Sequence, residues 1–366
     1  MIIYLMTLAL TFLFAYVAQG KQIVLEDGVT KKTSTNGKWA IAAVCAILIF
    51  IGGFRKSVGA DYGIYEGFFK KYMNWSLGDV LQEEEGGFWA IATVVGWFTD
   101  DYNAVFFVCQ VIIILCFVPT MAKYSHNLSL TMFLYLATFD FFSALNGVRQ
   151  WTAAAILFAA LPWLKEKKII RYCLLCWFAY FFHKSAILMI PVGIFALTSP
   201  LSKWNVLALT GVGFLFFLMP STFDSLLGGI VDEKFTQFIG VEGDDGVSIF
   251  RILVSGAPMV LARVFYKQLP QSDGDKHFLN ILINLSTVNF VFYLVGMRST
   301  VMARMSMYVS PFNCLLIPYL LRIFKNNNRF LVKTAIMAMF GLYLLLLLPV
   351  DSMVLPYQNI FGWYFA

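Results

Sequence analysis

Ten apolar runs divide this chain, near residues 2–18, 38–53, 102–120, 127–145, 148–164, 203–219, 249–266, 278–297, 301–321 and 331–350. Such runs satisfy their backbone polar groups in hydrocarbon only as helices, because each N–H and C=O must find its partner within the segment. Several fall short of the roughly 20 residues of a perpendicular span, which leaves their ends open. Of the 366 residues 60% are hydrophobic and 13% charged, and the mean hydropathy is +0.74. A soluble domain carries about 25% charge. The chain therefore reads as one all-α, polytopic membrane domain over residues 1–366, with no internal repeat or linker.

Charge sets the orientation. The loops 19–38 (Lys21, Lys31, Lys32, Lys38), 165–171 (Lys165, Lys167, Lys168, Arg171) and 322–333 (Arg322, Lys325, Arg329, Lys333) are basic and belong on the cytoplasmic side. The loops 55–101 and 220–248 are long and acid-rich, the second carrying Asp224, Asp232, Glu233, Glu242, Asp244 and Asp245. The net charge of +6 thus reports on membrane orientation and argues against nucleic acid as a partner. If 165–171 is inside and 220–248 outside, an odd number of crossings separates them. The run 203–219 supplies one, so 169–199 must supply two or none. We expect a hairpin or re-entrant pair there, bent near His183 and Lys184. About twelve transmembrane or re-entrant helices follow, with both termini outside. Gly86–Phe98 is too short to span and is expected to lie at the outer interface or re-enter. The run Met1–Ala18 lacks a basic leader region and is expected to be a retained span.

Six cysteines (Cys45, Cys109, Cys116, Cys173, Cys176, Cys314) lie mostly in apolar runs. The Cys173–Cys176 spacing has no second pair to complete a metal site, so packing is expected and no metal.

Polar residues inside apolar sequence mark the candidate site. A charge at bilayer depth costs at least ~2.5 kcal/mol, so Arg149 and the His183-Lys184 pair need a partner, water or a function. The topology gathers such residues on the outer side: Arg55, Lys56, Asp61 and Tyr62; Asn146, Arg149 and Gln150; His183, Lys184 and Ser185; Arg251; and Arg298 with Arg304. Asp140, about one and a half turns below the outer turn, is a candidate counter-ion for Arg149. Snorkelling accounts well for Arg55, Lys56, Lys70 and Lys71. It accounts less well for Arg149 and Arg304, which apolar sequence flanks on both sides. His183 reads either as a satisfied bend residue or as a proton acceptor. Arginine forks suit phosphate oxygens. There is no phosphate-binding glycine loop or dinucleotide turn, and no cofactor is expected. The residues alone indicate an outward-facing polar cavity suited to an anionic, phosphate-bearing or lipid-linked ligand.

Five short stretches carry a family resemblance: RKSVGADYGIY (Arg55–Tyr65), NGVRQ (Asn146–Gln150), FHKSAIL (Phe182–Leu188), ARMSMY (Ala303–Tyr308) and LPYQNIFGW (Leu355–Trp363). In this order the chain resembles the EpsG family of exopolysaccharide polymerases, which are Wzy-like. The resemblance implies polymerisation of oligosaccharide repeat units carried on undecaprenyl pyrophosphate, for exopolysaccharide or capsule, at the outer face of the bacterial cytoplasmic membrane. The enzyme would be a metal-independent glycosyltransferase-type polymerase. On this basis His183, Arg149, Arg304 and Asp61 are catalytic candidates. Arg55, Tyr62, Asn146, Gln150, Lys184, Arg251 and Tyr308 are substrate-binding candidates. Arg149, Arg304 and Arg251 would neutralise the leaving pyrophosphate, and His183 or Asp61 would take the acceptor's proton. Expected partners are the lipid-linked oligosaccharide, membrane lipid, a flippase and a chain-length regulator. A flippase or transporter of lipid-linked sugars, a glycan ligase and a membrane O-acyltransferase remain alternatives.

Overall fold

The computed structural model describes residues 1–218, 247–269, 273–297, 300–350 and 353–365. Most of the loop 220–248, with its six acidic residues, lies outside them, as does Arg298. The first helices are α1 (Ile2–Gln19), α2 (Thr35–Gly53), α3 (Tyr62–Tyr72), α4 (Leu77–Val80), α5 (Gly86–Gly96) and α6 (Asn103–Tyr124). Then come α7 (Leu128–Ala137), α8 (Asp140–Ser143), α9 (Val148–Ala159), α10 (Leu161–Lys165), α11 (Ile169–Tyr180), α12 (Met189–Ala196) and α13 (Lys203–Leu218). The last are α14 (Ile249–Val264), α15 (Asp273–Val295), α16 (Thr300–Arg304), α17 (Asn313–Leu320) and α18 (Asn326–Leu347). Among the described residues, α1, α2, α6, α15 and α18 are long and apolar enough to cross a membrane. The other apolar helices are shorter, and the molecule is a multi-pass helical membrane protein.

Helix starts follow local chemistry. Ser34 Oγ accepts from the Gly37 amide, Asn127 Oδ1 from Leu130 and Ser248 Oγ from Arg251, each satisfying a first-turn donor. Close packing follows from small residues. A Cβ at Gly52 would sit 2.5 Å from the Gln110 side chain, and one at Gly256 would sit 2.5 Å from the Phe290 ring. These glycines let α2 approach α6 and α14 approach α15, which matters where lipid supplies no hydrophobic drive to helix association. Polar ties add to this: Asn284 Nδ2 donates to the Thr198 carbonyl (2.8 Å), Asn205 Nδ2 donates to Asn284 Oδ1 (2.9 Å), and Arg263 donates to the Pro200 carbonyl (2.6 Å). Each such bond contributes only ~0.6 kcal/mol on average. Together they tie α13, α14 and α15 to the 198–200 turn that follows α12.

Four expectations need revision. The 127–145 run is not one helix: Phe139 adopts a left-handed conformation (φ 75°) and separates α7 from α8. The 301–321 run is likewise broken, into α16, two 3-10 turns and α17, with Pro311 in the second turn. The chain is mostly helical but not all-α. Within 19–38, β1 (Gln22–Val24) pairs antiparallel with β2 (Lys31–Thr33) around a turn with Gly28 at φ 71°. Near the C-terminal end β3 (Tyr357–Gln358) pairs with β4 (Tyr364–Phe365). The fourth, a counter-ion assignment, belongs to the site described below.

The 169–199 run does turn back on itself at His183. A 3-10 turn (Lys184–Leu188) leads into α12, and Gly193 on α12 packs against the Tyr172 ring of α11. The segment α5 is buried on one side (Phe88 0%, Ala92 0%) while Trp97 and Phe98 at its end are 62% and 83% exposed. The end bearing the 22–33 hairpin is basic. There Lys165 Nζ donates to Asp27 Oδ2 (2.6 Å), tying α10 to the hairpin turn. Burial opposes ionisation of Asp27, but hydrogen bonds from Lys165 and Thr30 outweigh it and hold the carboxyl well below the usual range.

Candidate functional site

At the other end, a cavity of about 630 Å³ is lined by residues from many parts of the chain. Arg149 and Gln150 come from the first turn of α9, and Asn146 from the turn before it. Asp61 comes from the loop after α2, His183 from the α11 bend, Arg251 from α14 and Arg304 from the end of α16. All four catalytic candidates, and three substrate-binding candidates, therefore share one space.

The turn at 145–147 is fastened from behind by Arg55. Its Nη2 donates to the Leu145 carbonyl (3.0 Å), its Nη1 to Gly52, and its guanidinium lies 4.8 Å from the Phe106 ring centroid. Gly59, at φ 103°, lets the following loop pass close to Asn146, whose Oδ1 would lie 2.8 Å from any Cβ there. The Asp61 amide then reaches Asn146 Oδ1 at 3.4 Å, which seats Asp61 on the cavity rim.

Arg149 is held on three sides. Its Nη1 lies 2.5 Å from Glu85 Oε2, and its guanidinium carbon lies 5.2 Å from the Trp89 ring and 6.0 Å from the Tyr65 ring. Glu85 itself is a left-handed residue (φ 57°) just before α5, and its Oε1 accepts the Lys184 amide at 3.0 Å. The same Oε1 stands 3.8 Å from His183 Nδ1. One carboxylate thus joins α5, α9 and the α11 bend. Asp140, the expected counter-ion of Arg149, is engaged elsewhere: Ser310 Oγ donates to its Oδ1 (2.6 Å) and Thr138 Oγ1 to its Oδ2 (3.1 Å). The break at Phe139 separates Asp140 from the helical register that the pairing assumed.

His183 has its own constraint. Nδ1 accepts from the Ser185 amide (3.3 Å) and lies 2.8 Å from Ser185 Oγ, which in turn lies 3.0 Å from the Tyr308 hydroxyl. An amide can only donate, so Nδ1 is unprotonated and the neutral ring carries its hydrogen on Nε2. Burial pushes the imidazole down to about 4; the Glu85 carboxylate opposes this, and Arg149 and Arg304 reinforce it. His183 is neutral at pH 7.

Gln150 Nε2 donates to the Arg304 carbonyl (2.9 Å), which fixes the backbone under an exposed Arg304 side chain. Four expected substrate-binding residues lie outside the cavity lining. Arg55 is the buried fastener described above, 1% exposed. Tyr62 stacks on Phe106 (4.6 Å, 5°) and donates to Asn103 Oδ1 (2.9 Å). Lys184 pairs with Glu84 away from the cavity. Tyr308 stands behind Ser185. Glu85 was missed because it ends the run Glu83-Glu84-Glu85, which reads as solvated loop. Its one signal is its place directly before an apolar segment too short to span.

Among the described residues no group of three His, Cys, Asp or Glu side chains has the composition of a metal site. A family model described as the EpsG family matches residues 38–359. No curated protein and no solved structure matches the chain.

Proposed function

From the premise that the chain belongs to the EpsG family, linked to exopolysaccharide biosynthesis, we propose that it joins lipid-linked oligosaccharide repeat units into polymer. The donor and acceptor are read as repeat units on a polyprenyl pyrophosphate such as undecaprenyl pyrophosphate. The observation that carries this reading is the meeting of Arg149, Arg304 and Arg251 with His183 and Asp61 on one cavity. The basic opposite end supports a cytoplasmic placement for that end, and with it the reading of the cavity as outward-facing. About twelve crossings, with α5 at the outer interface, fit this arrangement.

The step needs no oxidant or cofactor. An acceptor hydroxyl oxygen attacks the anomeric carbon of the donor sugar, the carbon–oxygen bond to pyrophosphate breaks, and the pyrophosphate departs with the electron pair. The arginines stabilise the charge that grows on it. Asp61 takes the hydroxyl proton. His183, neutral and protonated on Nε2, donates a hydrogen bond to the departing oxygens. This tautomer favours Asp61 over His183 as the base.

Cells lacking the protein should accumulate single lipid-linked repeat units on the outer leaflet. Units trapped on the inner leaflet would instead identify a flippase, and polymer of normal length lacking acetyl groups an acyltransferase. Purified protein given synthetic lipid-pyrophosphate repeat units and chelator should extend them and release the carrier. Extension that required added divalent metal would overturn stabilisation by arginine alone.

A further inference from the structure

The basic end of the bundle has a second cavity, of about 560 Å³. Its polar wall includes Arg322, Arg329 and Lys333, and its apolar wall includes Leu321 and Phe330. Arg322 is a rigid floor: its Nη1 and Nη2 donate to Asp275 Oδ1 (3.0 Å) and Oδ2 (3.2 Å), so one carboxylate already offsets it. Arg329 and Lys333 stand four residues apart on α18 and share a face. Among the described residues both find uncharged partners. Arg329 Nε donates to the Phe324 carbonyl (2.8 Å) and Lys333 Nζ to Ser129 Oγ (3.0 Å). Like charges at this spacing repel, and an anion between them relieves the repulsion.

The helix that carries these cations is also the least covered of the five long apolar helices, with 17% of its most apolar window buried. Phe330, Leu331, Met339 and Leu342 are 77%, 70%, 56% and 59% exposed. Phe330 lines the cavity and opens onto this exposed apolar surface, which continues on the side of α18 turned away from Arg329 and Lys333. A free phosphate has no use for that surface; two acyl chains do.

We propose that this cavity binds the phosphodiester head group of an anionic phospholipid from the leaflet at the basic end, its chains lying along α18. Basic pockets between helices at a membrane surface suit such head groups. The site is separate from the outer cavity and independent of the reaction proposed there.

Native mass spectrometry of the full-length protein in detergent tests it, with phosphatidylglycerol and phosphatidylcholine of identical chains as probes. The wild type should retain phosphatidylglycerol preferentially. Each cation near the phosphate should contribute about fivefold to that preference. Arg329→Gln with Lys333→Gln should therefore abolish most of it, whereas Arg149→Gln with Arg304→Gln at the outer cavity should leave it in place. If the double variant is not monodisperse, the single exposed change Arg329→Gln should still lower the preference about fivefold. An undiminished preference in a monodisperse Arg329 variant would overturn the proposal. So would sn-glycerol 3-phosphate or inorganic phosphate competing as well as the lipid, since the site would then recognise phosphate without chains.

Discussion

Glu85 Oε2 lies 2.5 Å from Arg149 Nη1 although the two residues are 64 positions apart, and the same side chain accepts the Lys184 amide at 3.0 Å. The carboxylate at the start of α5 thereby orients both the arginine of α9 and the backbone beside His183. Glu85→Gln keeps the acceptor for the amide but loses the charge. It should lower polymer synthesis about tenfold at normal membrane levels, since truncating a buried charged hydrogen bond costs ~1.5–3 kcal/mol. Arg149→Lys should lose more, because a point charge reproduces neither the two-pronged phosphate contact nor the stacking on Trp89. Turnover with purified variants checks both. Wild-type rates for Arg149→Lys would reduce that residue to an anchor.

The acid side of the stability profile should carry the mark of His183. Its imidazole titrates near 6.5 when unfolded and about 4 when folded. A folded value below the unfolded one means that the unfolded chain binds the extra proton first. Stability is then complete above about 6.5 and is lost as pH falls from there towards 4. His183→Gln cannot titrate, so its melting temperature should fall less than the wild type's between pH 7.5 and 5. The same variant also separates the two proton-acceptor readings. It keeps an N–H donor and should retain measurable turnover, while Asp61→Asn should not. Abolished turnover in His183→Gln with active Asp61→Asn would return the base to His183.

Accessibility labelling addresses orientation. The native cysteines are buried or half-buried, giving a low background. Cysteines at Lys32 and Asn328, both exposed and both at the basic end, should resist an impermeant thiol reagent in intact cells. One at Asp79, in the outer segment, should react. The reverse pattern would place the arginine cavity on the cytoplasmic side and remove the proposed reaction from the outer leaflet.

Gly96 gives a packing test. A Cβ there would sit 2.3 Å from the Met73 carbonyl oxygen, which is backbone and cannot swing aside. Gly96→Ala should destabilise the protein by ~1–3 kcal/mol. Because α5 carries Trp89, which packs on Arg149, activity should fall with it. An unchanged melting temperature would show that α5 shifts freely against α3.

Much of this arrangement was legible in the residues, and the limits have physical causes. Hydropathy and loop charge located the apolar helices and the turn at His183, because both signals are sums over many residues. The isolation of Arg149 and Arg304 within apolar sequence pointed to the place where the cavity occurs. The break at Phe139 left no trace, since phenylalanine has no preference for a left-handed backbone and tertiary packing imposes it. Arg55 and Tyr62 read as ligand contacts, but the short loop after α2 turns them inward onto Gly52, Leu145 and Phe106. Glu85 was hidden for the opposite reason: a buried partner of an arginine looks, in a run of three glutamates, like any solvated acid.

The Tyr4 hydroxyl donates to the Val354 carbonyl at 2.7 Å across 350 positions of chain, and Arg55 is bridged to Asn359. Lys56 and Gln358 share a backbone hydrogen bond at 2.8 Å, and Ile360 and Phe54 another at 3.0 Å. Helices α1 and α2 are thus completed by residues far downstream of them, which a ribosome delivers only after the intervening chain. During vectorial insertion α1 and α2 must wait in the bilayer, the edge at the end of α2 unsealed, while the intervening bundle is threaded. Only when the 353–365 segment emerges on that side does the edge close. A chain stopped short of that segment would carry every long apolar helix and still leave the backbone at Arg55 without its bridge to Asn359.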